Sequence, residues 1–121
     1  MKNVLIVEDH ADIRRLIRMT LEFEDCEIHE AGDAAEGLEK ARKLSPDLMF
    51  LDVMMPGERN GLDLCRDVKS DPLLRGIKVL LLSARGNTAD REAGLQAGAD
   101  AYVVKPFSPM ELLALLNAEV A

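Results

Sequence analysis

Hydrophobic and polar positions along the chain form two alternating patterns. Short apolar runs rich in branched residues, such as residues 4–7 and 48–51, are typical of buried strands. Between the runs, apolar residues recur every three or four positions, and this spacing predicts amphipathic helices. The alternation occurs five times with short connections, which predicts a parallel sheet with helices on both faces.

The individual elements follow from these patterns and from capping residues. Strands are predicted at residues 4–7, 26–31, 48–51, 77–82 and 101–104. The strand at 26–31 alternates polar and apolar residues, which places it at an edge of the sheet. Asp33 and Ser108 are predicted helix caps. The first helix is expected to bury a stripe of residues at helical spacing, namely Ile13, Leu16, Ile17, Thr20 and Leu21.

Polar residues stand where four of the predicted strands end. Glu8 and Asp9 follow the first strand, Asp52 ends the third, Ser83 ends the fourth and Lys105 follows the fifth. Ligands of open parallel sheets bind beyond the carboxyl ends of the strands. We therefore expect these five side chains to meet in one site.

The charges of this group indicate a chemistry. Three carboxylates close together are unfavourable unless protons or a cation neutralise them, and one lysine cannot balance all three. A site of oxygen ligands suits Mg²⁺. A phosphoryl group would find a metal, an ammonium and a hydroxyl there, and Asp52 could attack it to form an aspartyl-phosphate.

Composition narrows the class of protein. The chain has 121 residues, the size of one domain, and its net charge of −7 without a basic patch argues against direct binding of nucleic acid. No apolar run approaches the length of a membrane span, so we expect no membrane association and a cytoplasmic location. Cys26 and Cys65 are expected to be free thiols rather than a disulfide or a metal pair.

The chain resembles the receiver domain of two-component response regulators from residue 4 to about residue 117. The resemblance rests on the motifs VLIVEDH, MFLDVMMPG, LLLSA, GADAYVVKPF and SPMELL, in this order. It implies a three-layer, doubly wound (βα)5 flavodoxin-like fold with sheet order 2-1-3-4-5, and a single receiver domain over residues 1–121. Whether that domain stands alone or belongs to a longer regulator is open.

The resemblance also implies a role for each site residue. Asp52 would be the phosphoacceptor, and Mg²⁺ would be held by Glu8, Asp9, Asp52 and the backbone carbonyl of Met54. Lys105 would pair with the phosphoryl oxygens, and the Lys105-Pro106 peptide would be cis. Ser83 would bind the phosphoryl group after transfer, and Tyr102 would turn inward as Ser83 moves.

The implied partners follow from these roles. A sensor histidine kinase or a histidine phosphotransfer protein would supply the phosphoryl group. A downstream protein or output domain would bind the face formed by the fourth helix, fifth strand and fifth helix. An uncharged face on the last helix is either an ordinary tolerant surface or a packing patch for a partner or for a homodimer on activation. The protein would catalyse only its own phosphorylation and dephosphorylation.

Several residues depart from the family pattern or carry a second interpretation. Neither Met54 nor Arg85 can easily orient an attacking water, which predicts a persistent phosphorylated form. The loop at 57–61 is one residue longer than is usual. His10 is expected to be a helix-entry residue without a metal role. Arginines at 14, 15 and 18 form either a solvated face or a docking surface for the phosphodonor.

Two other functions stay open at this point. A flavin-binding protein can have the same sheet order, but it would need a phosphate-cradling loop where Glu8 and Asp9 stand. A receiver-fold interaction module that is not phosphorylated is the second alternative.

Overall fold

The computed structural model describes residues 2–55 and 60–120, with side chains to residue 117. The loop at 57–61, predicted to be one residue longer than is usual, lies outside these ranges at residues 57–59. Strands and helices alternate throughout. Their bounds are β1 Lys2–Val7, α1 Ala11–Leu21, β2 Cys26–Ala31, α2 Ala34–Leu44, β3 Leu48–Asp52, α3 Gly61–Ser70, β4 Lys78–Ser83, α4 Thr88–Gln96, β5 Ala101–Val104 and α5 Pro109–Val120.

The sheet confirms the predicted architecture. Its five strands are parallel and lie in the order β2-β1-β3-β4-β5, so the alternating strand β2 is at an edge. The order reverses between β1 and β3, which are neighbours in the sheet. In open α/β sheets the binding crevice lies at such a reversal, beyond the carboxyl ends of the strands.

Alternate residues of the central strands pack against helices on opposite faces. Leu5, Met49 and Leu81 belong to one buried cluster, which includes residues of α2 and α3. Ile6 and Phe50 belong to the other, which includes Ile17, Leu21, Leu112 and Leu116 from α1 and α5. Burial on both faces explains why β3 is a continuous apolar run with every residue buried. These layers hold the strand ends in fixed positions.

Capping residues fix where the helices begin. Asp33 accepts a hydrogen bond from the Glu36 N–H and so caps α2. At α5, the Ser108 hydroxyl accepts from the Glu111 N–H while the Glu111 carboxylate accepts from the Ser108 N–H, the reciprocal pair predicted from the sequence. Helix α3 begins at Gly61 with an equivalent pair between Asn60 and Asp63.

The predicted inward stripe of α1 is wrong at one position. Ile17, Thr20 and Leu21 are buried, but Leu16 is 46% exposed. Leu16 lies at the border of the helix contact, where it lines an open hollow together with Pro106 and Phe107. The buried face of α1 is therefore narrower than the apolar stripe in the sequence.

Both cysteines are free, as predicted. Burial raises the pKa of the Cys65 thiol to about 11, so this residue acts as an apolar core side chain. Within the described residues, no helix has the length and apolar character needed to cross a membrane.

Candidate functional site

The carboxyl ends of β1, β3, β4 and β5 bring the predicted polar residues to one edge of the sheet. Glu8 and Ser83 are fully buried, and Asp52 is 2% exposed. Asp52 pairs in register with Leu82 of β4, so Ser83 stands one position beyond it on the neighbouring strand. Helices cover both faces of the sheet, so the apolar runs that precede these residues are buried. The side chains at the ends of the runs are buried with them.

Lys105 connects the acids of two strands. Its ammonium donates to Glu8 Oε2 and to Asp52 Oδ1, both at 3.1 Å. The peptide between Lys105 and Pro106 is cis, the isomer that the resemblance implies. One ammonium is thereby shared between two buried carboxylates, which leaves the site rich in negative charge.

This excess of negative charge affects the pKa of Asp52. Burial, followed by the nearby Glu8 carboxylate, raises the pKa of Asp52 from 3.8 to about 6, although Lys105 opposes the rise. Burial alone would lower the pKa of Lys105, but its contacts with Asp52 and Glu8 outweigh burial and raise it. Above about pH 6, Asp52 is a carboxylate whose charge is only partly compensated.

A cation fits this group. Glu8, Asp9, His10 and Asp52 each offer one ligand atom, and these atoms all lie within 4.8 Å of one another. Oδ1 of Asp9 and Oδ2 of Asp52 are buried and have no hydrogen-bond partner among the described residues. Buried carboxylate oxygens without partners are costly in a metal-free protein, and a divalent cation would satisfy both.

The His10 side chain turns back toward the two acids that precede it in the chain. Its Nδ1 is 3.0 Å from Glu8 Oε1 and 3.3 Å from Asp9 Oδ1. The hydrogen bond to Glu8, then the charge of Asp9, raises the pKa of the His10 imidazole. The sequence interpretation of His10 as an ordinary helix-entry residue missed this contact, because sequence spacing does not indicate the direction of a side chain at a helix start.

Two arginines of α1 are bound rather than free. Arg14 donates to the Glu8 backbone carbonyl at 2.7 Å and to the Glu30 carboxylate at 2.9 Å. Arg18 donates to the other Glu30 oxygen at 2.6 Å. Among the three arginines predicted to form one face, only Arg15 is exposed. The pair instead ties α1 to the edge strand and holds the carbonyl beside the acid pair.

Gly61 allows the start of α3 to pack closely against the backbone that follows Asp52. A Cβ at this position would lie 2.1 Å from the Asp52 carbonyl oxygen, and the Gly61 N–H donates to the Val53 carbonyl at 3.0 Å. The start of α3 therefore packs directly on the backbone of residues 52 and 53. A side chain larger than hydrogen does not fit there.

Ser83 and Tyr102 are linked through one residue. The Ser83 hydroxyl oxygen accepts from the Arg85 N–H at 3.0 Å, and the Tyr102 hydroxyl donates to the Arg85 carbonyl at 2.6 Å. The Tyr102 ring is half-buried, with the Arg91 guanidinium 5.7 Å from its centroid. The backbone of Arg85 thus bridges the two residues that the sequence interpretation assigned to a switch.

The structure brings most of the predicted site together. Glu8, Asp52 and Lys105 are in direct contact or share a partner, and Asp9 joins them through the ligand-atom cluster. Met54 follows Asp52 by two residues, and its side chain is 52% exposed. Sequence reasoning missed His10 and also the Arg14 hydrogen bond. The only signal for Arg14 was its place on the first helix, next to the acid pair.

This sheet order, with helices on both faces, defines a doubly wound, flavodoxin-like α/β domain. The family model described as "Response regulator receiver domain" matches residues 4–117. The chain therefore belongs to the response regulator receiver domain family.

Individual relatives agree with this assignment. The chain is 41% identical over 115 residues to the transcriptional regulatory protein ResD of Bacillus subtilis, covering 95% of this chain and 46% of ResD. It is 37% identical over 119 residues to the DNA-binding response regulator MtrA of Mycobacterium tuberculosis H37Rv, covering 98% of this chain and 50% of MtrA. The chain thus spans about half the length of these curated relatives.

Solved structures give the same result. The chemotaxis response regulator CheY4 of Vibrio cholerae has a TM-score of 0.92 at 31% identity, with 99% of each chain covered. The BeF3-activated receiver domain of DrrB has a TM-score of 0.90 at 27% identity, covering 99% of this chain and 97% of that one.

Proposed function

We propose that this chain, residues 1–121, is one receiver domain that accepts a phosphoryl group on Asp52 from a phosphohistidine donor. The observation that carries the proposal is the state of Asp52. It is buried at the end of β3, one oxygen is bound by Lys105, and the other has no hydrogen-bond partner in the part of the chain that the structure describes. A buried carboxylate with a free oxygen and a neighbouring ammonium is equipped to be a nucleophile.

In the transfer step, a carboxylate oxygen of Asp52 attacks the phosphorus of the donor. A P–O bond forms, the P–N bond breaks, and its electron pair returns to the donor imidazole. Asp52 reacts as the carboxylate, which its pKa of about 6 makes the main form at neutral pH. Lys105 already lies 3.1 Å from Asp52 and offsets charge on the phosphoryl oxygens.

A divalent cation completes the charge balance. We assign Glu8, Asp9, Asp52 and the Met54 carbonyl to its binding, with Mg²⁺ as the ion because the predicted donors are oxygen atoms. When bound, Mg²⁺ would supply further positive charge for the phosphoryl oxygens. Glu8 is held for this task by Lys105 and by the hydrogen bond from the His10 N–H.

Phosphorylation would then change the output surface. Ser83 is proposed to bind the phosphoryl group through its hydroxyl, which now accepts from the Arg85 N–H. When Ser83 leaves this hydrogen bond, Arg85 can move, and Tyr102 loses the fixed position of its acceptor carbonyl. The face of α4, β5 and α5 would shift its population toward an active form.

The donor protein is expected to dock beside Lys105. An open, mostly apolar hollow of about 370 Å³ lies there, lined by Ile13, Leu16, Ala84, Lys105, Pro106 and Phe107. Because Lys105 belongs to both the hollow and the site, a histidine kinase or a histidine phosphotransfer protein seated in it would bring its phosphohistidine near Asp52. Leu16→Glu should slow transfer from a protein donor and leave transfer from acetyl phosphate unchanged.

We propose that the phosphorylated chain acts by binding an output domain or another protein. The relatives are named transcriptional or DNA-binding, and the chain matches about half of each. The net charge of −7 favours an output domain or protein partner over direct contact with nucleic acid. A cytoplasmic site of action and a homodimer formed on activation belong to the same proposal. Apart from its own phosphorylation and dephosphorylation, no catalytic activity is assigned.

The test is phosphorylation followed by intact mass. The chain is incubated with Mg²⁺ and acetyl phosphate and compared with Asp52→Asn and with Asp25→Asn, a matched control at an exposed position before β2. We expect one phosphate adduct in the wild type and in Asp25→Asn, and none in Asp52→Asn. If neither acetyl phosphate nor protein donors give an adduct, the chain is a receiver-fold interaction module instead.

A further inference from the structure

His10 stands at the N-cap position of α1 but does not cap the helix. Its side chain makes no capping hydrogen bond. The ring instead lies against the acid pair, with Nδ1 within 3.3 Å of an oxygen from Glu8 and an oxygen from Asp9. The His10 N–H also donates to the Glu8 carboxylate. The local backbone therefore presents an imidazole nitrogen to the proposed cation site.

The spacing of these atoms matches a shared coordination sphere. Metal–ligand bonds of about 2.1 Å place adjacent ligands of an octahedral ion about 3 Å apart. His10 Nδ1 lies 3.0 Å from Glu8 Oε1 and 3.3 Å from Asp9 Oδ1. With Asp52 included, the four ligand atoms lie within 4.8 Å of one another, compared with about 4.2 Å between opposite ligands of such an ion.

A second observation also points to a cation at this place. Asp52 is 2% exposed, and its Oδ2 has no hydrogen-bond partner within residues 2–55 and 60–117, although Oδ1 is bound by Lys105. A buried carboxylate oxygen without a donor needs either a proton or a cation. The atom offered by His10 belongs to the same compact group.

We propose that His10 Nδ1 is a ligand of this metal site, which gives the site one nitrogen among its oxygen donors. The inference rests on the proposed function only in that both use a cation at Asp52. Imidazole ligands favour first-row transition ions, whereas Mg²⁺ prefers oxygen. The site should therefore bind Mn²⁺ and Co²⁺ with an affinity gain over Mg²⁺ that depends on His10.

The decisive experiment measures binding of single metals to the tag-free chain at about pH 8, well above the ordinary pKa of imidazole. Co²⁺ and Mg²⁺ are titrated calorimetrically into the wild type, His10→Gln, Asp52→Asn and His29→Gln. His29, on the edge strand β2 and partnered in register with Leu5, is the matched control. Since His10 is 63% exposed, its replacement should leave the fold intact, which circular dichroism checks.

We expect His10→Gln to weaken Co²⁺ binding by about tenfold or more and Mg²⁺ binding by less than about threefold. Pulsed EPR of the Mn²⁺ form should show a ¹⁴N coupling of an imidazole that persists in His29→Gln and is lost in His10→Gln. Asp52→Asn should weaken both metals.

Two results would overturn the inference while leaving the proposed function intact. One is equal weakening of Co²⁺ and Mg²⁺ in His10→Gln, and the other is a wild-type Mn²⁺ spectrum without imidazole nitrogen. If the wild type binds neither Co²⁺ nor Mg²⁺, both the inference and the metal part of the proposed function are overturned.

Discussion

Replacing Asp52 by asparagine should stabilise the metal-free protein at neutral and alkaline pH. Asp52 is buried beside Glu8, and Lys105 is shared between these two carboxylates. The substitution removes the charge that the site compensates least well while keeping the size of the side chain. The gain should be absent at low pH, where Asp52 is already neutral.

The magnitude follows from the pKa of Asp52, which burial and Glu8 raise from 3.8 to about 6. Between these two values the native state binds more protons than the unfolded chain, so the stability of the wild type falls as the pH rises. At about 1.4 kcal/mol per pKa unit, the complete loss is about 3 kcal/mol. That pKa already includes the opposing ion pair with Lys105, so at about pH 8 we expect Asp52→Asn to gain about 3 kcal/mol relative to its difference from the wild type at low pH.

Urea denaturation in the presence of a chelator measures this difference. The free energy of unfolding of the wild type and of Asp52→Asn is compared from about pH 4 to about pH 8, with Asp25→Asn as the control for an exposed acid. The advantage of Asp52→Asn should grow across the window from 3.8 to about 6 and then stay constant. Saturating Mg²⁺ should restore wild-type stability and reduce the advantage.

Two results would contradict the expected stabilisation by Asp52→Asn. If Asp52→Asn is less stable than the wild type at about pH 8, then the ion pair with Lys105 outweighs the cost of burying the charge. A difference that does not change with pH would show that Asp52 ionises at its ordinary value in the native protein.

Three further predictions concern neighbouring residues. Gly61→Ala should lower the free energy of unfolding by more than about 2 kcal/mol in urea denaturation, because its Cβ would overlap backbone, whereas Gly76→Ala, with open space around it, should stay within about 0.5 kcal/mol. Tyr102→Phe loses the hydrogen bond to the Arg85 carbonyl and should cost about 1 kcal/mol in the same assay without reducing the phosphate adduct; loss of the adduct would contradict the assigned role. Met54 and Arg85 predict slow hydrolysis, so a half-life under a few seconds for the phosphorylated protein, followed by intact mass, would refute that assignment.

The order of the elements and the residues at the strand ends were predictable from local pattern. Runs such as residues 48–52 are apolar because both faces of the sheet are covered, and an acid at the end of such a run stands out. The edge position of β2 followed from its alternation in the same way. Burial determines which residue types occur at these positions, so the sequence alone indicates where each strand lies and whether it is central or at an edge.

Side-chain partners across the fold were not predictable in this way. Arg14 and Arg18 form part of a polar face in the sequence, but their partner Glu30 lies on another element and is found only when α1 packs beside β2. Leu16 completes the apolar stripe of α1, yet it lies at the border of the buried contact and stays exposed. The direction of His10 depends on the backbone at the helix start, which helical periodicity does not describe.

The position of the Arg85 backbone between Ser83 and Tyr102 has a consequence for the partner as well as for this chain. If phosphorylation of Asp52 displaces Tyr102 through Arg85, thermodynamic linkage requires the reverse effect to have the same free energy. A protein that binds the α4, β5 and α5 face with Tyr102 displaced then favours the phosphorylated state of Asp52. The fraction of phosphorylated receiver at equilibrium would then depend on the concentration of the proposed output partner as well as on the supply of donor.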